Sequence, residues 1–237
     1  MRIYLIRHGD PNYALDCLTE LGKEQAQKLG KYYKDIKFDA IYCSSQGRAT
    51  ETANFLAKPH QITPIQQDWS REDNGGRFFI LNLGNDKYQW PFWEPNHIKA
   101  FRKTETINRG LKYYEDPSFE NDKFKEGFEH MAKLSDEFLE SLGLRHDREN
   151  NCYRKIKELP GNIALVAHGG FAYSFLSNML DIPYSIFSTT FQCMDLTAVT
   201  IIDFVEVDDR YYGKILRYND TAHLREKTIN SKQVAGI

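Results

Sequence analysis

Apolar runs alternate with stretches of helical period through the first 65 residues of the chain. Arg2-Ile3-Tyr4-Leu5-Ile6 is short, apolar and bounded by charge, the pattern of a strand buried on both faces. Glu20 to Leu29 then places Leu21, Ala26 and Leu29, with Tyr33, on one helical face, and Thr19 stands where an N-cap oxygen is wanted. Phe38 to Cys43 is a second apolar run. It passes through Ser44-Ser45-Gln46-Gly47-Arg48 into a helix that holds Ala49, Thr52, Ala53 and Leu56 and is stopped by Pro59. Ile62 to Ile65 reads as a third strand. The β-α-β-α-β order implies a parallel sheet with right-handed crossovers.

Between about residues 68 and 122 the pattern changes. This segment carries Trp69, Trp90 and Trp93, a Gly75-Gly76 pair, and prolines at 91, 95 and 117. It is too long for a routine connection and too aromatic for disorder. It therefore reads as an insertion packed over the sheet, with short helices near His97–Arg109. Phe124 to Leu142 is an amphipathic helix with Phe128, Met131, Leu134, Phe138 and Leu142 on one stripe. Ile163 to Ala167 is the next strand, and Gly169-Gly170 opens a helix through Phe171–Leu180. Ala198–Val207 and Tyr212–Tyr218 flank Asp208-Asp209-Arg210, a hairpin expected at the other edge of the sheet. The expectation is an α/β, three-layer sandwich. Its central sheet is mostly parallel, with helices on both faces and the helical, aromatic insertion packed over the sheet, all within a single domain of residues 1–237.

Composition adds exclusions. The 237 residues carry a formal net charge of −2, which argues against nucleic acid as the main partner but not against a small anion. No apolar run approaches the roughly 20 residues of a membrane-spanning helix, so no membrane partner is expected. Strand character begins at Arg2, and Cys17, Cys43, Cys152 and Cys193 form no C-x-x-C pair. The expectation is a cytoplasmic protein with free thiols. Homo-oligomerisation is left open.

The chemistry lies where apolar strands end. Doubly wound sheets bind ligands beyond the carboxyl ends of their strands. Arg7-His8 and His168 both stand at such ends, and Ser44 to Arg48 follows a third. Helix N-termini nearby favour an anion. An imidazole can attack a phosphoryl group, arginines can hold its oxygens, and a carboxylic acid can protonate the leaving alkoxide. The remaining histidines, His60, His97, His130 and His146, show no metal-ligand spacing, and neither metal nor cofactor is expected.

Leu5-Ile6-Arg7-His8-Gly9-Asp10-Pro11-Asn12, followed by Leu18-Thr19-x-x-Gly22-x-x-Gln25-Ala26, resembles the opening of the histidine phosphatase superfamily, the phosphoglycerate-mutase-like fold. Ser44-Ser45-x-x-Arg48-Ala49-x-Glu51-Thr52-Ala53 is similar to its second motif, and Val166-Ala167-His168-Gly169-Gly170 to its third. Asn219-Asp220-Thr221-Ala222-His223-Leu224 looks like the closing motif of its phosphatase branch. The resemblance implies His8 as the phosphorylated nucleophile. Arg7, Arg48 and His168 then form the phosphate pocket, with Asn12 as a further contact. The proton donor lies some two dozen residues past the second-motif arginine, at Glu72, with Asp73 and Asp68 as rivals. His223 braces the C-terminal segment. The implied function is a metal-independent phosphomonoesterase acting on a small phosphorylated molecule through phosphohistidine. Two alternatives are a cofactor-dependent mutase, which needs cations for a second anionic group, and a catalytically silent phospho-ligand-binding module. Tyr88, Trp90, Phe92 and Trp93 are candidate substrate contacts.

Overall fold

The computed structural model describes residues 1–120 and 122–225. In chain order the elements are β1 (Arg2–Arg7), β2 (Pro11–Asn12), β3 (Cys17–Leu18), α1 (Glu20–Tyr32), β4 (Ala40–Ser44), α2 (Gly47–Ala57), β5 (Ile65–Gln67), α3 (Glu72–Phe79), β6 (Leu81–Asn82) and β7 (Tyr88–Gln89). They continue with α4 (Pro95–Phe101), α5 (Thr104–Asn108), α6 (Phe124–Leu142), β8 (Leu144–Asp147), β9 (Cys152–Lys155), β10 (Asn162–Ala167), α7 (Gly169–Met179), α8 (Tyr184–Thr190), β11 (Val199–Val207) and β12 (Arg210–Asp220).

Eight strands form one sheet in the order β5-β4-β10-β1-β11-β12-β9-β8. The half from β5 to β1 is parallel, and every pairing from β1·β11 outward is antiparallel. The α/β architecture expected from the sequence is present, but the sheet is mixed. The sheet turns antiparallel where β11 pairs with β1, and a second hairpin, β8–β9, occupies the edge. The β11–β12 hairpin therefore lies inside the sheet, beside β1, rather than at its margin. Asp208 and Asp209, both at positive φ, make its two-residue turn.

Alternate residues of the central strands feed two cores. Ile3, Leu5, Ile163 and Leu165 face α6, α7, α8 and the insertion, whose Phe79, Phe101, Tyr113 and Phe119 are buried in the same cluster. Tyr4, Ile6, Ala164 and Val166 face α1 and α2 through Leu29, Tyr33, Ala53 and Leu56. Helices thus cover both faces.

Thr19 caps α1 as expected, its hydroxyl accepting from the Gly22 amide at 3.1 Å. Leu21, expected on the buried face of α1, is instead 55% exposed. The third strand begins at Ile65, not Ile62, because Pro64 has no N–H to give the ladder. α6 spans the stretch that its apolar stripe marked out, with Met131, Phe138 and Leu142 buried.

β4, β10 and β1 are neighbours and parallel. Their carboxyl ends therefore bring Ser44, His168 and His8 to one edge. α1 crosses close beneath the loop after β1: a Cβ on Gly22 would collide with the Asp10 carbonyl oxygen, so only glycine lets the helix approach.

Candidate active site

β1 delivers His8, fully buried, into the loop at the sheet edge. Its Nδ1 lies 2.7 Å from the Gly9 carbonyl, an acceptor only, so Nδ1 carries the proton and donates it. Nε2 is left deprotonated, buried and without a partner. Burial, reinforced by the Arg7 and Arg48 charges, pushes the imidazole pKa down to about 3, so it stays neutral at physiological pH. The Gly9 amide donates to Thr52 Oγ1 at 3.0 Å, which fixes the loop against α2.

β10 delivers His168, 1% exposed, with its ring centroid 5.2 Å from that of His8. His168 Nε2 is 2.9 Å from Ser44 Oγ, which already accepts from the Gln46 amide at 3.3 Å. Among the described residues the Ser44 hydroxyl proton has one acceptor, His168 Nε2. His168 therefore carries its own proton on Nδ1, the opposite tautomer to His8. That Nδ1 is also buried and unpartnered, 4.0 Å from Glu72 Oε2. Burial, then competition with the neighbouring His8 imidazole and the arginine charges, holds His168 well below the ordinary histidine range.

Two arginines flank the pair. Arg7 Nη1 donates to the Met194 carbonyl at 2.6 Å, and its buried Nε is unpartnered. Arg48, 5% exposed, enters from the first turn of α2. Its Nη1 pairs with Asp16 at 2.5 Å, and its Nη2 contacts Glu72 Oε2 at 3.2 Å and Gln46 Oε1 at 3.3 Å. Its Nε is free. Each guanidinium thus keeps donors for an anion while other donors hold it in place.

Of the three rival acids, Glu72 is the one brought to the site. It opens α3, its amide donates to Gln46 Oε1 at 2.9 Å, and its Oε1 accepts from the Gly170 amide at 3.3 Å. Asp73 is chelated by Arg71 at 3.1 and 2.9 Å and faces away, and Asp68 is exposed. Asn12 sits on β2, where its Oδ1 accepts from the Leu15 amide at 3.2 Å and shapes the loop. It makes no hydrogen bond to His8, Arg7, Arg48 or His168. His223 Nε2 lies 2.8 Å from Thr197 Oγ1, and the Thr197 amide donates to the His8 carbonyl at 3.2 Å. The C-terminal segment is thereby braced against the loop of the first histidine.

Of the four aromatic candidates, Trp90 borders the site: a Cβ on Gly170 would collide with its indole, and the ring stacks on Phe92. Phe92 is buried, whereas Tyr88 and Trp93 are exposed. Sequence reasoning did not find Asp16, which accepts from the Gly47 amide at 2.7 Å as well as pairing with Arg48. Its partner lies 32 positions away, and no local pattern signals the contact. Tyr13, whose ring stands 5.3 Å from the Arg48 guanidinium, was also missed.

One ligand atom each of His8, Glu72 and His168 lies within 4.8 Å of the others, close enough to share an ion. The Arg48 guanidinium on Glu72 and the nearby Arg7 oppose a dication there, whereas they favour a phosphoryl group.

Residues 3–108 match the histidine phosphatase superfamily, branch 1. Over these residues the chain is similar to that superfamily. It is 34% identical over 131 residues to the mitochondrial serine/threonine-protein phosphatase Pgam5 of Caenorhabditis elegans, a match covering 52% of this chain and 44% of that protein. The chain thus spans under half the length of this relative, and 21% of the Pgam5 of Caenorhabditis briggsae. It is 26% identical over 184 residues to the putative phosphoserine phosphatase 2 of Hydrogenobacter thermophilus, covering 74% of this chain and 76% of that protein. The fold superposes on phosphoserine phosphatase of Entamoeba histolytica, solved with 3-phosphoglyceric acid. The TM-score there is 0.59 at 21% identity, with 94% of this chain and 99% of that one covered. Among the described residues no helix is long and apolar enough to cross a membrane.

Proposed function

We propose that the protein hydrolyses a small phosphate monoester, without a metal, through a phosphohistidine on His8. The observation that carries this reading is the buried, deprotonated and unpartnered His8 Nε2, set between two guanidiniums with donors to spare.

The phosphoryl group seats on Arg7, Arg48 and His168 Nδ1. His8 Nε2 attacks phosphorus in line, and the bond from phosphorus to the ester oxygen breaks as the N–P bond forms. Glu72, in its acid form, gives a proton to the departing alkoxide. Water then enters; Glu72 takes its proton, the hydroxyl adds to phosphorus, the N–P bond breaks, and inorganic phosphate and free His8 remain. The guanidiniums and the His168 N–H stabilise the equatorial charge in both steps.

Two features weigh against the alternatives. A mutase needs cations for a second anionic group, but the groove beside Arg7 is flanked by the carboxylates of Asp10 and Asp195. A silent binding module has no use for a deprotonated imidazole, a carboxyl and two arginines held together.

The test is hydrolysis of p-nitrophenyl phosphate in EDTA by the wild type and by His8→Ala. Turnover is expected to survive the chelator and to vanish in the variant. A phosphoenzyme should persist in alkali and disappear in acid. Near-normal turnover by His8→Ala would sink the mechanism.

A further inference from the structure

The candidate phosphoryl pocket adjoins a groove of about 540 Å³ whose lining includes Arg7, Asp10, Tyr13, Gln25, Asp195 and Leu196. Arg7 is one wall and Tyr13, stacked on Arg48, is another. The groove therefore opens beside Arg7, with Tyr13 linking it to Arg48, and it is here that we place the alcohol portion of the ester. The buried, unpartnered His8 Nε2 and His168 Nδ1 mark the phosphoryl pocket next to Arg7, rather than the groove itself, as a ligand site.

The charge of this groove is unusual for a site that takes an anion. Beyond Arg7 the lining residues with a carboxylate or cationic side chain are Asp10 and Asp195. Asp10 Oδ2 accepts from the Thr19 hydroxyl at 2.6 Å. Asp195 accepts from Asn219 Nδ2 at 2.9 Å and from Gln192 Nε2 at 3.2 Å. All three partners are neutral, and among the described residues neither carboxylate forms an ion pair. Two carboxylates held by neutral donors are oriented without being neutralised. They attract a cation and repel a second anion.

We propose that Asp10 and Asp195 select a phosphate monoester whose alcohol carries a cationic amine close to the phosphate, and disfavour one carrying a carboxylate or a second phosphate. This rests on the phosphatase reading above. The arginines take the phosphate, the groove takes the ammonium, and the ligand lies as a dipole along the field of the site. Asp10 is half-buried and Asp195 exposed, so solvent and salt moderate the discrimination.

The test compares kcat/KM for phosphoethanolamine and for 2-phosphoglycolate, which differ chiefly in an ammonium replacing a carboxylate. The wild type should prefer the amine by about tenfold, equivalent to about 1.4 kcal/mol. Asp195→Asn should lower that ratio about threefold, the share expected of one screened carboxylate, and Asp195→Lys should invert it. Half-molar salt should shrink it towards one. Because the readout is a ratio within each variant, a general folding defect lowers both terms and leaves it intact. Asp10→Asn supplies a second, independent lesion. A wild-type ratio at or below one, or an Asp195→Lys ratio equal to the wild type's, overturns this proposal while phosphate release still upholds the phosphatase reading. No release from either compound or from p-nitrophenyl phosphate overturns both.

Discussion

Ser44→Ala isolates the tautomer argument. Ser44 is fully buried at the end of β4, donates to His168 Nε2 and accepts from the Gln46 amide. Alanine removes one donor and one acceptor, so His168 Nε2 loses what kept it proton-free. The imidazole proton can then reside on Nε2, which turns a lone pair on Nδ1 towards the phosphoryl oxygens instead of an N–H. Leaving a buried polar group unsatisfied costs about 1–3 kcal/mol. If most of that is felt in the transition state, kcat/KM falls about 10- to 100-fold. The same lesion lowers stability by a similar energy, and a chain of this length loses about 2–4 °C in Tm per kcal/mol. Steady-state hydrolysis of p-nitrophenyl phosphate and a melt of the same preparation separate the two effects. Ser44→Thr, which keeps the hydroxyl on a strand that suits β-branching, should recover most of the activity, and His168→Ala sets the floor. If Ser44→Ala works within about twofold of the wild type, or if threonine is no better than alanine, the opposite-tautomer arrangement is wrong.

Glu72→Gln should slow alkyl phosphates at least about tenfold more than p-nitrophenyl phosphate, whose leaving group departs without a proton; equal losses would remove Glu72 as the acid. Gly22→Ala drives a methyl against the Asp10 carbonyl and should destabilise by about 2–4 kcal/mol, seen as a lowered urea midpoint. Burial holds His223 at a pKa of about 4, below the ordinary 6.5. The unfolded chain therefore binds a proton as pH falls through 6.5, whereas the folded chain waits until about 4. This stability is fully present above the unfolded value and is lost as pH falls towards the folded one, by at most about 3 kcal/mol. His223→Gln should flatten the dependence of Tm on pH between 7 and 4.5, and an unchanged slope would refute the assignment.

What could be read from the sequence was what local pattern encodes. Strands buried on both faces are apolar runs, so β1, β4 and β10 were legible, and with them the convergence of His8, Ser44 and His168. The α6 stripe was legible for the same reason. The β8–β9 hairpin was not: Leu144-Arg145-His146-Asp147 and Cys152-Tyr153-Arg154-Lys155 are short, charged edge strands with few inward residues. The resemblance pointed to Glu72, but setting Asp68 and Asp73 aside needed the turn that precedes α3, because all three acids fall within one short acidic stretch. The register of the insertion was hidden for a further reason. Its short helices are ordered by Phe79, Phe101, Tyr113 and Phe119 packing against residues such as Phe124 and Tyr184, not by their own periodicity.

The two imidazoles also explain why the arginines matter twice. Arg7 and Arg48 have donors for a phosphoryl group, and their charges add to burial in keeping both histidines neutral. A protonated His8 could not attack, and a charged His168 would duplicate the arginines at a large desolvation cost. In the proposed mechanism neutral histidines of opposite tautomer divide the work: one offers a lone pair, the other an N–H, and neither must lose a proton to water first. In that mechanism the group that then cycles its proton is Glu72. Glu72 lies between the Arg48 guanidinium and the Gly170 amide, so in the proposed mechanism the acid and the phosphate would share Arg48.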